Sequence, residues 1–395
     1  ADGVRQDFLL CRRPDGAGDL RIELELAGAS AESVADGARL TMHRGERILR
    51  YNRLHATDAL GVPLMATLEV PSPTRLVIAV EDAQAVYPLR IDPTFSDDNW
   101  ISKGGWAGVS GWVNAVAVDT SGNLFIGGSF GWVEDSPIKG VAKWDGSGWS
   151  ALGAGVSGGV SALISSGTNL FFGGDCDTAG MITHVGGIAK WDGHSWSGFG
   201  TGVGVDGDVN ALALHNTTLY VAGYFKTADG TGTNSIARWD GSTWSALGKG
   251  LVDEFRQGSA VRVLPGHVHA LVSDGTNLYA GGDFNMAGED YAFHVARWDG
   301  KRWWPLSTGM DLTTSGDPYV SALAIMDDGL YAGGRFNRAG YSMATNFARW
   351  DGYSWSALSP NIMGIPKTLM VSGSDLYAGG SFTLAGETGS FGIVK

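Results

Sequence analysis

A unit of four short segments recurs six times between Val113 and Lys395, and only a fold with the same internal period can accommodate it. The first segment is apolar around a variable second position: Val113-Asn114-Ala115-Val116, Val160-Ser161-Ala162-Leu163, Val209-Asn210-Ala211-Leu212, Val268-His269-Ala270-Leu271, Val320-Ser321-Ala322-Leu323 and a degenerate Pro366-Lys367-Thr368-Leu369. The second carries two small residues, as in Gly127-Gly128-Ser129-Phe130 and Gly281-Gly282-Asp283-Phe284, with Cys176 standing where the other units have phenylalanine. The third ends in Trp-Asp-Gly at Trp144, Trp191, Trp239, Trp298 and Trp350, and the fourth opens at Trp149, Trp196, Trp244, Trp303 and Trp355.

Four short strands per unit, Asp-Gly turns and a spacing of 46 to 59 residues predict a β-propeller, and no 3.6-residue period favours a helical solenoid. Glycine within a strand marks the close approach of another backbone, which suits blades crowding around an axis. The last unit stops at Gly392-Ile393-Val394-Lys395, one strand short, whereas Asn99-Trp100-Ile101-Ser102 ahead of the first unit reads as an orphan fourth strand. Pairing the two removes two exposed sheet edges. The expected fold is therefore all-β: a six-bladed propeller over 97–395, closed by an N-terminal strand and preceded by a small antiparallel β-domain over 1–96.

The paired glycines, the aromatic after them and the tryptophan further on resemble the kelch repeat, with Trp-Asp-Gly where kelch units commonly have Tyr-Asp. In detail the units are similar to kelch-like repeats of bacterial secreted proteins and of fungal cortical polarity markers, over about three quarters of the chain. The resemblance implies a propeller, and its members include enzymes, adhesins and scaffolds, so it carries little about function.

Residues 1–96 lack the repeat but alternate in hydrophobicity over Asp7 to Cys11, Leu20 to Ala27, Arg47 to Tyr51, Leu64 to Val70, Arg75 to Val80 and Val86 to Ile91. They resemble a domain that precedes repeats in large bacterial secreted proteins. Asp92 to Asp98 forms an acidic joint.

A net charge of −13, with only 28 lysines and arginines, argues against nucleic acid or an anionic membrane as the main partner. No apolar run of about 18 residues suggests a transmembrane segment. Cys11 and Cys176 are too few for a disulfide framework.

Function concentrates on loops carried by a rigid scaffold, and here the long, irregular connections run from second to third strand and from fourth strand to the next unit. In a propeller these emerge on one face. That face gains two insertions, Leu251 to Gly266 with Asp253, Glu254, Arg256 and Arg262, and Asp311 to Tyr319. Its second-to-third loops add Trp132, Glu134, Asp135, His184, Glu289, Tyr291, His294, Arg338, Tyr341 and Glu387 among others.

Equivalent positions converge near the axis, so departures from the small-polar norm are informative. His269 and Lys367 depart at the second position of the first strand, and Asp175, Tyr224, Asp283 and Arg335 after the small pair. These six are the candidate ligand-binding residues, either a charged funnel for a cation or polar ligand or a set of paired, hydrated channel groups. The regular Trp-Asp-Gly sites read first as packing and hairpin turns, and second as sugar platforms.

No Ser-His-Asp elbow, phosphate loop, His-Glu-x-x-His or Cys-x-x-Cys occurs. His267 and His269 form a His-x-His pair without a visible third ligand. No cofactor is called for, with Ca²⁺ in the channel left open. The leading expectation is a secreted or surface-exposed binding and scaffold protein of bacterial type, extracellular or at the cell surface, recognising a polysaccharide or protein partner. The alternatives are a carbohydrate-active enzyme at the axial funnel, drawing on Asp175, Asp283 and Glu254, and a structural unit of a surface assembly.

Overall fold

The computed structural model describes residues 4–5, 8–14, 18–34, 37–42, 48–97, 108–134, 136–201, 203–313, 316–358, 362–385, 388–389 and 392–395. The expected closing strand at Asn99 to Ser102 lies outside these residues, as do Asp135 and Glu387. The chain divides into two compact units, Ala1–Lys103 and Gly104–Lys395.

The first unit holds two antiparallel sheets around one core containing Tyr51, Ile78, Leu89 and Ile91, all fully buried. Two of its strands, Ala29–Val34 and Gly37–Met42, fall where no alternation was read. Their sequences, Ala-Ser-Ala-Glu-Ser-Val and Gly-Ala-Arg-Leu-Thr-Met, carry few β-branched or aromatic residues, and pairing with each other and with Ile48–Thr57 makes them strands.

The second unit repeats one sheet. Trp112–Val118, Leu124–Ser129, Val141–Trp144 and Trp149–Ala151 pair in sequence order, all antiparallel. Four more sheets follow with the same order, their inner strands being Val160–Ser166, Asp208–His215, His267–Ser273 and Tyr319–Met326. In the sixth, Ile362–Ser372 pairs with Asp375–Ala385, which also pairs with Ile393–Val394. Each inner strand packs on the next sheet's inner strand.

Every inner strand is bulged at the same place. Val268 faces Gly282 and Ala270 faces Gly281, which leaves His269 as the extra residue, and Asn114, Ser161, Asn210, Ser321 and Lys367 occupy the equivalent position. The bulge explains the paired small residues. A Cβ on Gly282 would sit 2.1 Å from the His267 carbonyl oxygen, across its own sheet. A Cβ on Gly281 would instead meet Val320 Cγ1 of the next sheet at 2.5 Å. So the backbone approach that the glycines signal comes from within the blade, while the neighbouring blade approaches with side chains.

The tryptophan pairs fill the sheets' outer parts. In the five Trp-Asp-Gly units the two rings lie 5.1–5.5 Å apart at 51–57°. Trp196, Trp303 and Trp355 also donate through Nε1 to the carbonyls of Leu152, Leu247 and Leu306 in the preceding sheets, at 2.8–3.0 Å. This is packing and not a sugar platform. In the second sheet the large ring moves: Phe172, fully buried, shares a cluster with Cys176, where the other units pair a smaller residue with phenylalanine. The Cys176 thiol is pushed up to about 12 by burial, and both cysteines are free.

Candidate functional site

The ends of the third, fourth and fifth inner hairpins bring together four of the six candidates. Register pairs Asp208 with Tyr224, His267 with Asp283, and Tyr319 with Arg335. Tyr224 stacks on His267 across the sheet boundary, with centroids 4.1 Å apart and planes at 10°. His267 lies 6.4 Å from His269, whose ring meets Tyr319 of the fifth sheet edge-on at 5.9 Å. Four rings thus form a continuous ladder over three sheets, flanked by Asp283 and Arg335.

The bulge aims His269 into this ladder. In three other sheets the bulged residue is a tie: Asn114 Nδ2 donates to the Val160 carbonyl at 3.1 Å, Asn210 Nδ2 to that of Val268 at 3.3 Å, and Ser321 to that of Pro366. A short polar side chain there joins sheets, whereas imidazole reaches past the carbonyl to a neighbouring ring. Burial, and next the charge His267 carries when protonated, hold His269 below the ordinary histidine value, with Asp283 acting the other way.

Asp175 and Lys367 lie elsewhere. Asp175 directly follows the strand Asn169–Gly174 of the second sheet and accepts a hydrogen bond from the Gly159 backbone, and Lys367 is an exposed bulge residue in the sixth.

Two further groups, His294 and Asp253, complete the cluster. The residue before each third strand has positive φ: Gly140, Gly187 and Gly392 in three sheets, but Ser235, His294 and Asn346 in the others. Its N–H and carbonyl bridge the turn, as when His294 donates to Phe284 and accepts from Gly282. A non-glycine residue there costs roughly 1–2 kcal/mol in backbone strain, yet His294 sits at φ 69° with its ring buried. Its Nδ1 makes no hydrogen bond and lies 3.7 Å from Asp283 Oδ1. Burial lowers its pKa, and Asp283, the Gly282 backbone and Asp311 offset part of that.

The insertion read as a loop is a β-hairpin, Leu251–Gln257 with Ala260–Pro265, extended by Met286–Ala287 and Asp290–Tyr291. Its strand puts Asp253 within the field of Asp283. Burial first, and Asp283 next, push the Asp253 carboxyl up to about 6. Asp253, His294 and Tyr319 all belonged to regions singled out as loops, but only strand register shows which of their neighbours share the site.

A series of four-stranded sheets with bulged inner strands is now in view, and residues 97–328 match the family model of the Rax2 C-terminal β-propeller domain. The chain belongs to that family. The match starts at Asp97 and ends just after the fifth inner strand, so it contains the ring ladder, the hairpin and His294. No curated protein matches the chain. Among solved structures, the Dos1 propeller is 13% identical, covering 91% of this chain and 86% of its own at a TM-score of 0.43. The β-propeller domain of the Trilobed protease from Pyrococcus furiosus is 10% identical over 89% and 91%, at 0.38. The computationally designed Ika8 protein is 14% identical over 71% of each chain, at 0.42. A family defined by a propeller domain fits a binding or scaffold role. Among the described residues no group of three or more His, Cys, Asp or Glu is placed to hold a metal ion, and no helix is long and apolar enough to cross a membrane.

Proposed function

We propose that the chain is a secreted or surface-exposed scaffold, built on a six-bladed, kelch-like ring, that recognises a protein through its long-loop face. The observation that carries the reading is the accessory hairpin, a paired β-element in the long connection after the third sheet with Phe255, Val261 and Val263 each more than half exposed and Tyr291 and Phe293 stacked beside it at 6.1 Å. Exposed apolar residues gathered on one element mark interaction surfaces, whereas scattered ones do not. A polysaccharide is the second reading, favoured by the partly exposed Tyr224–His267 stack beside carboxylates. Selection of a displayed random-peptide library on the full chain tests both, run beside a glycan panel. Convergent peptides lost on Phe255→Ala are expected. Glycan binding without peptides would turn the reading to polysaccharide, and silence from both would overturn it.

Ring closure has its own support. Val160, Val209, Val268 and Val320 are fully buried, and in three of the four cases a Cβ on the preceding sheet's first glycine would meet the next valine or its leucine partner. At the two ends this contact is unused: Val113 and Val116 are 41% and 58% exposed, and a Cβ on Gly379 would meet only its own sheet within 4 Å among the described residues. Knob and hole of one repeated contact stand open at opposite ends. With Cys11→Ser as background, Val113→Cys and Gly379→Cys are expected to form a concentration-independent intramolecular disulfide. Crosslinking only between chains would overturn closure.

A further inference from the structure

The hairpin has two faces of opposite electrostatic character. Its pairing puts Glu254, Arg256, Val261 and Val263 on one side, and Asp253, Phe255, Arg262 and Leu264 on the other. On the first side charge is settled locally: Arg256 Nε pairs with Glu254 Oε1 at 2.6 Å, and Tyr291 donates to the same oxygen at 3.5 Å. On the second side it is not. Asp253 is half-buried, and the charge acting on it is that of Asp283, another carboxylate. Arg262 shares this face but is exposed and does not offset the repulsion. Asp283 in turn faces the unbonded Nδ1 of His294, whose side chain is only 10% exposed.

Burial favours the neutral form of His294, which adds no positive charge beside Asp283, and the two carboxylates accept only. Asp253 takes one backbone N–H bond, from Asn285, and the remaining acceptor sites of the two carboxylates have no Lys or Arg partner among the described residues. Groups of this kind are satisfied by a cation carrying several N–H bonds, since hydrogen bonds between ionised partners are the strong ones. The group is not placed to hold a metal ion. Phe255, 53% exposed and two residues from Asp253 on the same face, offers an apolar wall for an aliphatic stem or a ring face for the charge. The sequence at the site favours histidine over the glycine found at three equivalent positions, in spite of the backbone strain.

We propose that the carboxylates of Asp253 and Asp283, with His294 packed beside Asp283 and Phe255 on the same hairpin face as Asp253, receive the guanidinium or ammonium group of an arginine or lysine side chain presented by a protein partner. This rests on the reading of the long-loop face as a protein-recognition surface and names the chemistry that anchors the partner there.

Calorimetric titration of the full chain with three short peptides tests it, identical except for a central arginine, lysine or citrulline. Citrulline keeps the shape of arginine and removes its charge. Arginine and lysine peptides are expected to bind, and the citrulline peptide about tenfold or more weaker. Asp253→Asn and Asp283→Asn each weaken arginine binding by about tenfold or more. His294→Gly weakens it several-fold with the melting temperature kept or raised, because glycine suits the positive φ. Asp351→Asn, in a turn outside the site, changes nothing. Equal binding of arginine and citrulline peptides would overturn the proposal, as would an Asp351→Asn loss equal to that of Asp253→Asn, which would mark diffuse attraction to an acidic chain. If peptides selected by display anchor on Phe255 while arginine and citrulline are not distinguished, this inference fails and the long-loop reading stands.

Discussion

Gly282→Ala is expected to destabilise the propeller unit by about 3 kcal/mol or more, and Gly281→Ala by about 1–2 kcal/mol, although the two are neighbours in one strand. The difference lies in what each Cβ would strike. At Gly282 it meets the His267 carbonyl oxygen at 2.1 Å and Val268 Cα at 2.8 Å, both backbone atoms held by the bulge. The same clash, at 1.9–2.3 Å, awaits at Gly128, Gly174, Gly223, Gly334 and Gly380. No rotamer change relieves it, so the bulge must flatten, and the bulge is what turns His269 toward Tyr319. At Gly281 the obstacle is Val320 Cγ1 at 2.5 Å, a side-chain atom that can yield. The third sheet already makes this substitution, with Ala222 buried in the cluster that holds Val268. Denaturant unfolding followed by tryptophan fluorescence separates the two variants, since fourteen of the fifteen tryptophans lie beyond residue 103. Equal losses would show that the bulge is not the constraint.

This example also marks how far the sequence could be read. Repeating segments and Asp-Gly turns were enough for the sheets, because strand and turn propensities act locally and were repeated. The paired glycines were visible, but their cause was not, since a bulge is defined by two residues facing one on a strand elsewhere in the chain. Three of the six positive-φ positions before the third strand advertise themselves as glycine. His294 hides the same conformation, so the most strained member of the site looked like an ordinary loop residue. The hairpin was legible and went unread: Gly258-Ser259 between Leu251–Gln257 and Ala260–Pro265 is a two-residue turn signal flanked by alternating residues. Which of its carboxylates faces Asp283 depended on register, and a shift of one residue would have exchanged Asp253 for Glu254. Four of six candidate positions met because equivalent repeat positions converge. Asp175 and Lys367 broke the same local norm in sheets that supply no partner ring.

Acid should unfold the propeller unit between about pH 4 and 2. Each Trp-Asp-Gly aspartate accepts backbone N–H bonds from the residues two and three further on, at 2.7–3.0 Å, while the glycine takes φ of 92–105°. Hydrogen bonds to the ionised form lower the carboxyl, to about 2 at Asp145 through Ser147 and at Asp299 through Trp304 first, and downward at Asp192, Asp240 and Asp351. A folded value below the unfolded one stabilises above the unfolded value, and the contribution is lost as pH falls through the folded value. Five turns of the same kind lose it together, each beside a tryptophan pair. Asparagine at all five keeps an acceptor and tolerates the turn but cannot titrate, so this variant should hold its fluorescence and far-ultraviolet circular dichroism to lower pH. Unfolding at the parent's pH would sink the assignment. Near pH 6 the site acts with two signs. Asp253, raised to about 6, stabilises below the ordinary carboxylate value and loses that contribution as pH rises through 6. His269 and His294, lowered, stabilise above about 6.5 and lose it as pH falls. The slopes oppose one another in the parent. Asp253→Asn removes the falling one, and its melting temperature should rise with pH more steeply than the parent's across this range.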